Sequence, residues 1–199
     1  MSYKNTWKNK EVFLDQLALN EKELNQYPYH WNCFLSLLEK ISPQSILDLG
    51  CGCGVFFELC RRHFPNIQYT GVDYAEEAIT IAKEKWKQGK WEVKDYTDLT
   101  EDNTKDYDVL HAGALLDVLE DGHGAYCYLL GLKFKSIILG RVKLTKEDSY
   151  FNVYTAYDKI QTYEYYHNVS NLVQEAENNN YELMFIGEET NCTLLLTKK

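Results

Sequence analysis

The stretch Ser45-Ile46-Leu47-Asp48-Leu49-Gly50-Cys51-Gly52-Cys53-Gly54 decides how this chain is read. Its first half is a mostly apolar run too short for a helix. It follows Pro43, which stops the helical spacing of Trp31, Phe34, Leu35, Leu38 and Ile41 and leaves Ser45–Leu49 as a buried first strand. Its second half is three alternate glycines, and after them Val55, Phe56, Leu59, Cys60 and Phe64 fall on one face of a helix that Pro65-Asn66 closes. Glycine between a strand and a helix lets the chain turn with positive φ and lets a ligand touch the backbone. A dinucleotide-binding GxGxxG would need its third glycine at position 55 or 57, and those are Val55 and Phe57, so that fingerprint is excluded.

Working outward, Gln68–Asp73 reads as a second strand and Ala75 to Trp86 as a helix. That helix has Glu76 and Glu77 in its first turn and Lys83 and Lys85 near its end, matching the helix dipole. Trp91–Lys94, Tyr107–Gly113 and Ser136–Gly140 follow as strands. Strands alternating with helices predict an α/β fold, a doubly wound and mostly parallel sheet with helices on both faces. Its ligand crevice then lies at the carboxyl ends of the strands. Asn168–Asn178 reads as a closing helix, and Tyr181–Gly187 with Cys192–Thr197 as an antiparallel hairpin.

At 199 residues the chain is one domain's length, with a lid at 1–44, a core at 45–140, an insertion at 141–167 and a closing unit at 168–199. Acidic residues outnumber basic ones 30 to 21, a net charge of −9 that repels polyanions, so nucleic acid is not the expected partner. No stretch approaches a membrane span, and Met1 to Lys10 has no apolar run of the signal-peptide kind, so a cytoplasmic protein is expected. The six cysteines include no CxxC pair and no zinc-type His spacing. They are read as reduced packing thiols, with Cys51 and Cys53 as loop fillers and no metal expected. The lysines from Lys83 to Lys94 alternate with acids and apolar residues and read as a solvated helix face.

Asp48, Gly50, Gly52 and Gly54 resemble motif I (D/E-x-G-x-G-x-G) of the class I S-adenosylmethionine-dependent methyltransferases. Two more acids stand where that family has them: Asp73 at the end of the second strand, 19 residues after Gly54, and Asp95 at the end of the third. The resemblance covers Ser45 to Gly140. It implies a seven-stranded sheet with an antiparallel last strand inserted between strands five and six, and S-adenosylmethionine as cofactor. By the same resemblance, Gly50, Cys51, Gly52 and Gly54 approach the methionine end, with Asp48 holding the loop or the ammonium group. Asp73 accepts the ribose hydroxyls, Asp95 the adenine amino group, Tyr74 and Tyr96 flank the adenine, and Ala112 and Gly113 lie beneath the sulfonium.

The implied activity is methylation of oxygen or nitrogen on a small polar acceptor. No NPPY or DPPY tetrapeptide follows the fourth strand, where Ala112-Gly113-Ala114-Leu115 stands, and this argues against DNA. The lid and the tyrosine-rich segment Tyr150–His167 are expected to roof the cofactor and form the acceptor pocket, with Tyr27, Tyr29, His30 and Trp31 facing Tyr163 and His167 across the crevice. His111, His123 and His167 are possible general bases for a hydroxyl acceptor, and His167 is the expected one because it borders the insertion, with His111 second; each also fits a structural role. A non-catalytic cofactor-binding or scaffold subunit, an aminopropyl-transferase-like enzyme and a protein methyltransferase are the alternatives.

Overall fold

The computed structural model describes residues 6–199, so the first five residues of the expected lid lie outside it. Asn9 opens α1 (Lys10–Glu23), its side chain accepting from the Glu11 and Val12 amides. Pro28 precedes α2 (Tyr29–Ile41), which buries Trp31, Phe34, Leu37 and Leu38 and ends at Ser42 with φ 52°, just before Pro43. Then come β1 (Ser45–Leu49), α3 (Val55–His63), β2 (Gln68–Asp73), α4 (Glu76–Lys85) and β3 (Lys90–Val93). After a single turn at Tyr96–Asp98 come the four-residue α5 (Glu101–Thr104), β4 (Val109–Ala112) and α6 (Gly122–Gly131). Next are β5 (Ser136–Thr145), β6 (Tyr150–Ala156), β7 (Ile160–Asn168), α7 (Val169–Asn178), β8 (Tyr181–Glu188) and β9 (Asn191–Lys198).

Seven strands run in the order β3-β2-β1-β4-β5-β9-β8, with β1 to β5 parallel and β9 antiparallel to both of its neighbours. This is the expected doubly wound sheet, and β9, inserted antiparallel between β5 and β8, sits where the last strand was expected between strands five and six. Alternate residues of each central strand feed two cores. Leu47, Leu49, Leu110, Ile137 and Leu139 pack under α6 and α7, while Ile46, Val109, Ile138 and Leu195 pack under α2 and α3.

Two features go beyond the sequence reading. The strand expected at Ser136–Gly140 continues to Thr145, and its far half pairs in parallel with β7, which pairs antiparallel with β6. The insertion is therefore a β-hairpin that extends the sheet to nine strands among the described residues. Its turn carries Tyr157 and Asp158, both with φ 54°, where hairpins usually place Asn-Gly, so the sequence offered no turn signal. Helix α6 also went unread: it opens at Gly122-His123-Gly124 and is apolar on nearly every side, so it has no helical stripe. No helix among the described residues is long and apolar enough to cross a membrane.

Candidate active site

A cavity of about 380 Å³ opens at the carboxyl ends of the parallel strands. Leu49, Gly50 and Gly52 form its floor. Gly50 (φ 69°) and Gly52 (φ 52°) both use the left-handed backbone that glycine adopts freely. The amides of Gly50 and Cys51 both donate to the Val72 carbonyl, at 2.8 and 3.0 Å, which ties the loop to the end of β2. A Cβ on Gly52 would stand 2.5 Å from Gln16 Oε1, so the loop lies close against α1.

Gly54 and Cys51 have a different job. Gly54 (φ 81°) caps α3, and a Cβ there would meet Trp91 at 2.3 Å; Cys51 is buried in the core under α2 and α3. Neither lines the cavity.

The β2 and β3 ends supply one wall through Asp73, Tyr74, Lys94, Asp95 and Tyr96. Asp73 is buried, its Oδ2 accepting from the Gly52 amide and its Oδ1 from the Ala75 amide, both at 2.9 Å. Burial pushes its carboxyl up to about 6, against the lowering effect of those two donors. Asp95 Oδ1 accepts from the amide and hydroxyl of Thr97, at 3.1 and 2.9 Å, and so caps the turn that carries Tyr96. Lys94 is paired with Glu92 at 2.7 Å, and Lys8 lies 5.8 Å over the Tyr74 ring.

The opposite wall comes from the segment after β4, with Ala114, Leu115 and Asp117, and from Arg141 on β5. Ala112 and Gly113, expected beneath the reacting centre, lie one step deeper: Ala112 is buried, and a Cβ on Gly113 would meet Phe56 at 2.8 Å.

The two expected roof segments do cover this cavity, but with other residues. Trp7, Phe13, Gln16 and Leu19 line it from the N-terminal side, and Tyr154 to Tyr157 from β6 and its turn. The two segments are joined: Trp7 Nε1 donates to Thr162 Oγ1 at 3.1 Å, Trp7 stacks edge-on to Tyr157, and Val12 packs with Ala156 and Ile160. Tyr27, Tyr29, His30 and Trp31 do not line it. Trp31 is core under α2, the Tyr27 hydroxyl lies 3.1 Å from His63 Nε2, and Tyr29 is 56% exposed, with its ring beside Gly187. His30 is pushed down to about 4, first by burial and then by the charge of Arg141. Tyr163 donates to Glu120 Oε2 at 2.9 Å, away from the cavity.

The histidines expected as bases are likewise elsewhere. His167 has no exposed surface, neither ring nitrogen has a hydrogen-bond partner among the described residues, and burial drives it down to about 3. A strand-end histidine facing α6 and α7 is core, and its position after the tyrosine run gave no hint of that. His111 packs between Phe34 and Phe56, at 4.4 and 4.3 Å between ring centres, with Nδ1 2.7 Å from Asp48 Oδ1. Asp48 Oδ2 accepts from the buried Tyr69 hydroxyl. Asp48 therefore braces the strand beneath the glycine loop from the α2 and α3 side and does not reach the cavity. His123 on α6 groups with Cys127 and Glu175, their ligand atoms within 4.8 Å of one another, in a spacing the sequence reading did not foresee; this group also lies outside the cavity.

Sequence reading missed Trp7, Phe13, Gln16, Asp117 and Arg141, while Tyr154 and Tyr157 belong to the tyrosine run it expected in the roof. One signal was available for Arg141: it directly follows Gly140 at the end of the fifth strand, the same kind of position that singled out Asp73 and Asp95.

Residues 47–126 match the family model described as a methyltransferase domain. Malonyl-[acyl-carrier protein] O-methyltransferase of Bacillus cytotoxicus is 37% identical over 78 residues, which are 37% of this chain and 25% of that protein. The tRNA1(Val) (adenine(37)-N6)-methyltransferase of Vibrio cholerae is 35% identical over 51 residues, 26% of this chain and 21% of that protein. The chain thus spans about a quarter or less of the curated relatives it matches. Human N-acetylserotonin methyltransferase, solved in complex with S-adenosylmethionine, superposes with a TM-score of 0.67 at 14% identity, covering 96% of this chain and 57% of that one. That likeness shows the fold.

Proposed function

We propose that this chain, which has the class I methyltransferase fold and carries a methyltransferase-domain match over residues 47–126, is an S-adenosylmethionine-dependent methyltransferase acting on oxygen or nitrogen of a small polar acceptor. The observation that carries this reading is one cavity that joins a glycine floor, two strand-end carboxylates and a roof made by the N-terminal helix and the β6–β7 hairpin.

The residues present fit the cofactor. Gly50 and Gly52 leave the backbone bare along the floor, where side chains would take up the space of the amino-acid end. Asp73 spends one lone pair of each oxygen on the Gly52 and Ala75 amides. The Tyr74 amide also donates toward this carboxylate, so of its about four acceptor sites one remains for a ribose hydroxyl. Asp95 is held by Thr97 at the cavity edge, suited to an exocyclic amine, and Tyr74 and Tyr96 supply ring faces. When bound, the cofactor supplies a methyl group already activated for displacement. The chain's own task is then positioning: holding the acceptor under Trp7, Gln16 and Tyr154–Tyr157 and keeping water out.

A small acceptor suits a cavity of about 380 Å³ that must hold the cofactor as well, and the net charge of −9 disfavours nucleic acid even though one relative is named for a tRNA substrate. Mass spectrometry of the purified protein for retained S-adenosylmethionine or S-adenosylhomocysteine tests cofactor binding. Release of S-adenosylhomocysteine only when an acceptor pool is supplied separates the enzyme from a scaffold. Retention without release from any pool of small polar acceptors would favour the scaffold reading.

A further inference from the structure

The cavity has two chemically different ends. The end assigned above to the cofactor gathers the glycine floor, Asp73 and Asp95. The other, at the ends of β4 and β5, holds Asp117, Arg141 and Tyr154.

Arg141 stands at a register shift between Leu139 and Val142 in the pairing of β5 with β9, with φ 60°. That backbone is unfavourable for a side chain as large as arginine, and bulges of this kind re-aim a side chain out of a regular strand. Its neighbour along the strand, Lys143, is paired with Glu164, and the other cation of the cavity wall, Lys94, is paired with Glu92. Among the described residues no carboxylate lies within ion-pair distance of the Arg141 guanidinium, although its charge acts on Glu23, His30, Asp117, Tyr154 and Tyr157. An exposed, planar cation in a cavity wall with no carboxylate in direct contact among the described residues is a ready partner for a carboxylate, which it can bind through two parallel N–H donors.

Asp117 is the complementary oddity. It is 4% exposed, and its Oδ1 has no hydrogen-bond partner among the described residues, a costly state for a buried acceptor. It sits in the wall of the same end of the cavity.

We infer that the methyl acceptor carries a carboxylate that pairs with Arg141 and presents an N–H or O–H to Asp117. This rests on the methyltransferase reading. The cofactor's own amino-acid carboxylate is the other source of the same chemistry, and the test separates the two.

Binding is measured by calorimetry on the full chain with S-adenosylhomocysteine, with 5′-methylthioadenosine, which lacks the amino-acid end, and, on protein saturated with S-adenosylhomocysteine, with benzoate and its neutral isostere benzamide. Benzoate is expected to bind at least tenfold more tightly than benzamide. Arg141→Gln is expected to reduce that preference below twofold while leaving S-adenosylhomocysteine affinity within twofold of wild type. At least one hydroxybenzoate isomer is expected to bind more tightly than benzoate, an advantage lost in Asp117→Leu, whose retained S-adenosylhomocysteine affinity shows that it is folded. Equal binding of benzoate and benzamide, a preference that survives Arg141→Gln, or a hydroxybenzoate advantage that survives Asp117→Leu would overturn the inference and leave the cofactor assignment standing. So would a tenfold loss of S-adenosylhomocysteine affinity in Arg141→Gln with 5′-methylthioadenosine unaffected, since Arg141 would then read the cofactor. No S-adenosylhomocysteine binding by wild type would overturn both.

Discussion

Asp73 holds the glycine loop and the start of α4 at once, and its titration gives that role a signature. The perturbation is Asp73→Asn. Asparagine keeps one oxygen to accept from Gly52 or Ala75 but turns an NH₂ toward the other amide, which costs about 1–3 kcal/mol for a buried donor left without an acceptor. The size of that cost depends on pH. Burial raises the folded-state carboxyl to about 6, against 3.8 as the ordinary value, so between those limits the folded protein binds more protons than the unfolded chain. Stability from this group therefore grows as pH falls through 6 and is lost as pH rises through 6. Between pH 8 and pH 5 the wild type gains about 1.4 kcal/mol from Asp73, and the Asn variant gains none of it. The Asn penalty should accordingly be larger at pH 5 than at pH 8 by about that amount. Urea unfolding of both proteins at both pH values, followed by tryptophan fluorescence, measures it directly. A penalty that is equal at the two pH values, or smaller at pH 5, would mean that the amide donors outweigh burial and that the carboxylate is held ionised.

The same chemistry makes cofactor affinity pH-dependent. On the proposed reading ribose hydroxyls donate to the ionised carboxylate, so S-adenosylhomocysteine affinity should fall by up to about tenfold per pH unit below 6, measured by calorimetry. The loop glycines should separate by role. Gly54→Ala drives a Cβ into Trp91 and should cost about 2–4 kcal/mol of stability, whereas Gly52→Ala, facing the movable Gln16 amide, should cost about 1–2 kcal/mol and weaken S-adenosylhomocysteine at least tenfold. His167→Phe should leave cofactor affinity unchanged. Because His167 is neutral when folded, its contribution is whole above 6.5 and drains away as pH falls toward 3, so the variant should resist the drop from pH 8 to pH 5 by about 2 kcal/mol more than wild type in urea unfolding. Tyr69→Phe removes the hydroxyl that Asp48 accepts from and should lower stability by about 1–3 kcal/mol.

The parallel sheet and its crevice were legible because buried strands, one-faced helices and glycines at a strand exit are all local patterns. The acids at positions 73 and 95 were legible because strand ends have a fixed place in such a sheet. The roof was legible only as segments. Which side of α1 faces the cavity depends on Trp7 and Val12 meeting the β6–β7 hairpin, a contact between residues some 150 positions apart that no window of sequence contains. Tyr27, Trp31 and Tyr163 were attractive by type, but their ring faces are spent on His63, the α2 core and Phe151. His111 and His167 lie outside the cavity for a related reason: the central strand that carries His111 is buried on both faces, and His167 falls on the hidden side of an alternating strand.

Calorimetric titration of S-adenosylhomocysteine into the purified wild-type chain at pH 7.5 tests the central claim most directly. The expected result is a one-to-one isotherm with a dissociation constant at or below about 100 µM. No binding at about 1 mM ligand, from protein that unfolds cooperatively, would contradict it.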